Sequence, residues 1–487
     1  MKPLCVAWWR RASTRKPSSA PGTLPPNTTI RRKRPLSSSA GFFVGCPKGR
    51  PDGCNFQRLG LNLRGLNALP SVLTSFILEL CPMSKDLSQA NDPLAQRIRE
   101  TAEYVKWGKS IGLYPYNRPV EALLEKGWVR VNGQKKLMMA SYSYLGLIGH
   151  PRISAAAKAA IERYGSGTHG VRTLAGSLPV HQELEETIAA FKGAEAAIVF
   201  SSGYVTNVAV ISALVRRGDY VITDKYNHAS IVDGILLAGA KMLRFPHNDM
   251  AALERRLQQV PAGATKLVVA DAVFSMDGDI IDLPRVAELC QRYDAWLMID
   301  EAHSVGVLGP TGRGIEEHFG LDDVIDINMG TLSKTIPSVG GYIAGKKDLI
   351  EYVRHTARGY IFSAALPPAQ AAAAAEAFRL ILDEPWRVEK LRANTQQFIK
   401  GLQARGFDTM NTETAIVPVL CKEDMVAYRL AKAAFDRGLF VLPVVSPAVP
   451  QGLARLRATV MASHEPEDIE WAMDQLAEAA REVGLLA

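Results

Sequence analysis

Lys334 closes the run Asn328-Met-Gly-Thr-Leu-Ser-Lys334, directly after an apolar stretch with the composition of a strand. A lysine amine becomes a nucleophile when its site lowers its pKa. At a strand end, flanked by Thr331 and Ser333, it suits a Schiff base to an aldehyde cofactor, with the hydroxyls helping to hold a phosphate. A lone lysine is otherwise a surface residue. Trp296-Leu-Met-Ile-Asp300-Glu-Ala-His303 puts a carboxylate at the C-terminal end of another hydrophobic strand, where ligands of α/β sheets bind. A buried carboxylate needs a cation or donor. A protonated pyridine nitrogen is one such partner; a helix cap or a salt bridge is the plainer alternative. Ser201-Ser-Gly-Tyr204 ends a strand and opens a helix over 205–215, so free N–H groups there can face an anion. An ordinary turn would look the same. His228, in Asp224-Lys-Tyr-Asn-His228-Ala-Ser, lies past a strand end and can stack on a flat heteroaromatic ring or cap a helix. Phosphate turn, histidine, aspartate and lysine come in that order, each after a strand, and the joint pattern is far more specific than any member.

Gly165-Ser-Gly-Thr-His-Gly170 matches G-x-G-x-x-G. A dinucleotide site needs a strand before it and a helix after it. Here a helix precedes, so the segment reads as glycine-rich backbone close to a ligand.

These residues need a scaffold of short apolar strands alternating with helices. Strand patterns fall at Ala197–Phe200, Tyr220–Thr223, Lys241–Arg244, Leu267–Asp271, Trp296–Ile299, Ile325–Met329 and Gly341–Ala344, with helical patterns such as Met250–Gln259 and Pro284–Tyr293 between them. That alternation predicts an α/β domain around a mainly parallel sheet. The expected division is an N-terminal arm with a small hairpin over 83–140, a large domain over 141–379, and a smaller C-terminal α+β domain over 380–487. One helical stretch at about 366–405 leads into the last of these.

Of the 57 Lys and Arg, 13 lie in residues 1–82 with only Asp52 and Glu79 as acids, leaving 44 basic and 47 acidic residues beyond, a net of −3. The near-neutral remainder gives no reason for a nucleic-acid partner. The basic leader has three readings: a mis-assigned start ahead of Met83, an organelle transit segment, or a basic tail with its own binding role. Only Cys290 and Cys421 lie beyond it; two isolated cysteines without metal spacing suit a reducing, cytoplasmic compartment and no metal site. No apolar run reaches 18 residues, so no transmembrane helix is expected.

Together the phrases GSGTHGVRTLAGS (165–177), SSGY (201–204), NHASIVDG (227–234), FSMDGD (274–279), DEAHSVGVLGPTGRG (300–314), GTLSK (330–334), GGYIAG (340–345) and SPAVPQGLARLRATVMASHEPEDI (446–469) resemble the α-oxoamine synthase family of fold-type-I pyridoxal-phosphate (PLP) enzymes, from about Gly112 to the C-terminus. The resemblance implies a PLP-dependent transferase fold and a homodimer with its active site at the subunit interface. It implies Lys334 as the Schiff-base lysine that also moves protons at the substrate α-carbon, and Asp300 as partner of the pyridine nitrogen. His228 would stack on the ring, His303 would contact its hydroxyl, and Ser275 would lie against it. Ser202, Gly203 and Tyr204, helped by Thr331, would hold the phosphate. Arg457 would grip the amino-acid carboxylate, where a bidentate fork fits best. The implied reaction is a decarboxylative condensation of an amino acid with an acyl thioester, on coenzyme A or a carrier protein, giving an α-amino ketone.

Within the family, GLYPY (112–116), YIFSAALPP (360–368) and VVSPAVP (444–450) look most like bacterial serine palmitoyltransferases, which begin sphingoid-base synthesis. The nearest alternatives are 8-amino-7-oxononanoate synthase, 2-amino-3-ketobutyrate CoA ligase and 5-aminolevulinate synthase. A fold-type-I aminotransferase would use the same Lys and Asp. Departures from the family pattern at Ser141-Tyr142-Ser143, Pro337 and Val171 are expected near the substrate pocket, with Tyr142 as a substrate contact.

Overall fold

The computed structural model describes residues 92–487; the basic leader and its three readings lie outside them. A helix α1 (Pro93–Ser110) comes first. Everything that follows belongs to one compact unit, Val105–Ala487.

A short strand β1 (Ala122–Leu123) precedes the hairpin of β2 (Trp128–Val131) and β3 (Gln134–Met138). Then come α2 (Pro151–Tyr164), α3 (Pro179–Lys192), β4 (Ala196–Phe200), α4 (Gly203–Leu214), β5 (Tyr220–Asp224), α5 (Ala229–Ala238), β6 (Lys241–Phe245), α6 (Met250–Gln258), β7 (Lys266–Asp271), α7 (Leu283–Arg292), β8 (Trp296–Asp300), α8 (Ile315–Phe319), β9 (Ile327–Ser333) and β10 (Pro337–Gly345). The C-terminal part holds α9 (Lys347–Thr356), α10 (Arg358–Ile361), α11 (Pro368–Asp383), α12 (Trp386–Ala404), β11 (Ile416–Lys422), α13 (Asp424–Asp436), β12 (Leu439–Phe440), β13 (Leu442–Val444), β14 (Ala454–Thr459) and α14 (Pro466–Glu482).

Seven strands form the main sheet in the order β4-β10-β9-β8-β7-β5-β6. β6, β5, β7, β8 and β9 run parallel, while β10 is antiparallel to both its neighbours. The strands are apolar almost throughout because helices cover both faces. Along β7, Val268 and Ala270 join one buried cluster and Leu267 and Val269 the other, the two-residue alternation of a pleated strand. The C-terminal ends of these five strands and of β4, which also runs against β10 and so points the same way, come to one edge, and the charged and polar residues singled out above at strand ends fall there.

The hairpin β2–β3 is extended by β12, which pairs parallel to β3 through Leu439↔Leu137 and Phe440↔Met138. The antiparallel sheet β11-β14-β13 lies beside α13, on which α14 packs in turn. The helical stretch predicted at about 366–405 is made of two helices, α11 and α12, with Pro385 between them; a proline inside would remove a backbone donor and clash with the turn before it. The strand predicted at Ile325–Met329 is β9, which begins at Ile327, just after Asp326 accepts the Leu297 N–H at 2.8 Å, and runs on to Ser333 by pairing with β10. Among the described residues no helix is long and apolar enough to cross a membrane, and no cluster of His, Cys, Asp or Glu could hold a metal ion.

Candidate active site

The edge formed by the strand ends opens into a cavity of about 350 Å3. Its lining includes Tyr142, Ser202, Gly203, Tyr204, His228, Ser275, Asp300, His303, Thr331 and Lys334, so ten of the eleven residues picked from the sequence meet in one place. Arg457 stands just behind it. Its Nε donates to the Ser275 carbonyl at 2.6 Å, and its guanidinium carbon lies 4.8 Å from the Tyr142 ring centroid.

Lys334 is the first residue of a three-residue link between β9 and β10, whose register pairs Ser333 with Pro337. Next in that link, Thr335 anchors the turn by donating to the Val305 carbonyl at 2.7 Å. Burial drives the Lys334 amine down to about 8, against the upward pull of Asp300 and Asp271 and with Arg457 adding to the fall. Its Nζ lies 5.9 Å from the Tyr142 ring centroid.

Asp300 ends β8 and is 5% exposed. One carboxylate oxygen accepts the Ala302 N–H at 2.9 Å and the other accepts Asn207 Nδ2 at 2.7 Å. The chain then turns around Glu301, a buried carboxylate held by Lys192 at 2.5 Å, by Ser304 Oγ at 2.6 Å and by the Ile315 N–H at 2.8 Å. That anchored turn delivers His303. Burial, reinforced by Lys334, Arg457 and His228, pushes its pKa well below the ordinary imidazole value.

Ser202 caps α4, its Oγ accepting the Val205 N–H at 3.1 Å. The N–H groups of Gly203 and Tyr204 stand at the open end of the helix, without an intrahelical acceptor. Gly203 packs so closely on β10 that a Cβ on Gly341 would come within 2.8 Å of the Gly203 nitrogen. Thr331 Oγ1 lies 2.9 Å from Ser333 Oγ and donates to the Gly340 carbonyl at 3.1 Å. The Tyr204 phenol turns outward to Asp233, so only its backbone is placed for an anion.

His228 caps α5 with its Nδ1, which lies 2.7 Å from Ser230 Oγ. The capping reading thus holds, and the same residue lines the cavity. Burial lowers its pKa, with Asp300 opposing and Lys334 assisting.

Sequence reasoning passed over Asn207, Asp271 and Ser230, which also line the cavity. Asn207 sits one turn into α4 and bridges Asp300 to Ser230. Asp271 ends β7 directly opposite Asp300 in the register and accepts the His228 N–H at 3.2 Å. Burial, then the neighbouring Asp300, raise its pKa well above the carboxylate range. The position of Asp271 at a strand end was a signal of the same kind as Asp300.

Buried polar atoms without a hydrogen-bond partner among the described residues include Asn207 Oδ1, Asp271 Oδ1 and Arg457 Nη2. Polar atoms of that kind cost free energy unless a ligand satisfies them. An amine, a buried carboxylate and an open helix start lining one cavity fit PLP, whose aldehyde, pyridine nitrogen and phosphate they would meet in turn.

The family model for aminotransferase classes I and II matches residues 134–476. The chain belongs to that family. It is 42% identical to 8-amino-7-oxononanoate synthase of Thermosipho melanesiensis over 78% of this chain and 96% of that one. It is also 42% identical to serine palmitoyltransferase of Sphingobacterium spiritivorum, over 76% and 92%. Among solved structures, one of SPT with its PLP internal aldimine superposes with a TM-score of 0.79 at 36% identity, covering 81% of this chain and all of that one. An 8-amino-7-oxononanoate synthase from Francisella tularensis gives 0.62 at 26% identity, covering 71% and 98%. The aminotransferase-family fold here is thus a fold-type-I PLP fold, and the chain is a PLP-dependent C-acyltransferase of the α-oxoamine synthase type.

Proposed function

We propose that this α-oxoamine synthase joins L-serine to a long-chain acyl thioester, forming a carbon–carbon bond at the serine α-carbon and releasing carbon dioxide and the free thiol. The observation that carries the serine reading is the closer structural match to SPT, with a TM-score of 0.79 against 0.62 for the oxononanoate synthase. When bound, PLP supplies an electron sink for the pair left at the amino-acid α-carbon. Lys334 is the residue that attaches the cofactor and then moves protons at that carbon. Its lowered pKa keeps a useful fraction of free amine near neutral pH. Asp300, held by Asn207 and Ala302, would pair with the ring nitrogen. His228 would lie against the ring and His303 would contact its hydroxyl. Gly203 and Tyr204 would offer N–H groups to the phosphate, with Ser202 and Thr331 beside them, and Ser275 would lie against the cofactor. Arg457 takes the carboxylate with its unpartnered Nη2, and the half-exposed Tyr142 closes that side of the pocket.

The purified full chain, loaded with PLP, is offered L-serine, L-alanine or glycine with palmitoyl-CoA, and carbon dioxide and free thiol are measured. Turnover with serine at the lowest concentration supports the reading. Preference for alanine with a dicarboxylic acyl thioester favours the second reading, an oxononanoate-type synthase, which the equally identical relative supports. Transamination without thiol release would overturn both.

We also propose a cytoplasmic homodimer. Leu174 and Phe362 are 84% and 73% exposed and lie on segments joined by the Val171↔Ala364 bridge, leaving an apolar surface that a second copy of the chain would cover.

A further inference from the structure

Tyr144 lies in the segment between β3 and α2 and is fully buried. Its hydroxyl stands 2.6 Å from Nδ1 of His303, the two rings meeting at 62° with centroids 6.1 Å apart. Burial pushes the Tyr144 phenol up to about 12, opposed by the Arg457 guanidinium that lies beside its oxygen.

Donor chemistry gives this contact a direction. A guanidinium only donates, so the phenol oxygen turns a lone pair toward Arg457. The phenol keeps its single proton at neutral pH, and that proton points at its other neighbour, His303 Nδ1. A neutral imidazole carries one proton, and burial with three nearby cationic or ionisable groups, Lys334, Arg457 and His228, holds His303 neutral. When Nδ1 accepts, Nε2 is the nitrogen that bears hydrogen, and it is the one left for the cavity that His303 lines.

We propose that Tyr144 is a positioning residue: its hydroxyl fixes His303 in the tautomer protonated at Nε2 and ties that ring to Arg457. The inference rests on the roles given above to His303 and Arg457. It adds that the two ends of the pocket communicate. A carboxylate arriving at Arg457 weakens the guanidinium's hold on the phenol oxygen, strengthens that oxygen's basicity, and is felt at the imidazole that faces the cofactor hydroxyl.

The test uses the cofactor-free full chain labelled with 15N-histidine, with His303→Gln to assign the signal. The wild-type protein is expected to show an unprotonated Nδ1 and a protonated Nε2 at His303. Tyr144→Phe is expected to populate the Nδ1–H form as well. A wild-type Nδ1–H, or the same tautomer in wild type and Tyr144→Phe, would overturn the proposal. The wild-type spectrum alone decides the first point, whatever the variant's folding. In the PLP-loaded enzyme, Tyr144→Phe is expected to lower kcat/KM for the amino acid about 10- to 100-fold, with the KM for the acyl donor unchanged. Unaltered amino-acid kinetics would remove the coupling to Arg457. Absence of serine condensation in wild type would instead sink the proposed reaction and leave the tautomer result standing.

Discussion

Lys334 and Asp300 could be picked from the sequence because each follows an apolar run, and the C-terminal ends of parallel strands are where α/β sheets bind ligands. Asn207 and Tyr144 could not. Their importance comes from what they touch across the fold, Asp300 in one case and His303 in the other. Two predictions belong at this scale. With the Lys334 pKa near 8, the rate at which cofactor-free enzyme takes up PLP rises with pH through about 8 and then levels, because only the unprotonated amine attacks. Stopped-flow absorbance across a pH series reads this, and Lys334→Ala shows no covalent uptake at any pH. The second concerns His464, which is fully buried and whose pKa burial lowers to about 4. The folded value lies below the unfolded one of about 6.5, so the unfolded chain takes up a proton first as pH falls. The stability from keeping His464 neutral is therefore full above pH 6.5 and declines by about 3 kcal/mol toward pH 4. Urea denaturation of wild type and His464→Gln at both ends of that window measures the difference; equal pH slopes would contradict it.

Among the elements, most strands and helices were visible as period and punctuation, and the errors were at ends and breaks. The stretch 366–405 reads as helical without a division because its composition is helical throughout, although Pro385 marks the break between α11 and α12. β9 was cut short because the Gly-Thr-Leu-Ser run lacks the hydrophobicity of a buried strand, although the residues up to Leu332 are buried. The packing of α4 against β10 had no sequence signal beyond Gly340-Gly341, read only as close packing. It carries a sharp expectation. In Gly341→Ala the new methyl would sit 2.4 Å from Thr206 Oγ1 and 2.8 Å from the Gly203 nitrogen. The start of α4 must shift, and the affinity for PLP and for inorganic phosphate falls about tenfold or more, since a helix N-terminus holds an anion only at hydrogen-bond distance. Equilibrium dialysis with PLP checks this, and the enzyme's far-ultraviolet circular dichroism should be unchanged.

For the molecule as a whole, the large parallel-sheet region and a smaller α+β C-terminal region were both legible from the alternation of patterns. What the sequence could not convey is that the early hairpin is completed by β12, some 300 residues later in the chain. Two-residue strands such as β12 have no period to detect. The apolar Leu174 and Phe362, prominent only once their exposure is known, bear on assembly. The paired substitution Leu174→Asp and Phe362→Asp is expected to halve the mass seen by light scattering on a sizing column. An unchanged mass would place the subunit contact elsewhere. Phe362 precedes Ser363, whose Oγ donates to Ser201 Oγ at 3.3 Å beside the start of α4, so dissociation should also weaken PLP retention.

The link between β9 and β10 is three residues long, and Lys334 is one of them. Most of the parallel strands feed into helices through longer loops, whereas here the chain reverses at once and pairs back on itself. The proposed attachment point for the cofactor therefore sits in the reversal of the sheet itself. Attaching PLP at that point staples the reversal from the cavity side, while Thr335 staples it from behind. Amide hydrogen exchange over residues 333–341 then becomes a clock for the cofactor: slow while the lysine is occupied, faster once it is released, with the outlying strand β6 indifferent to both states.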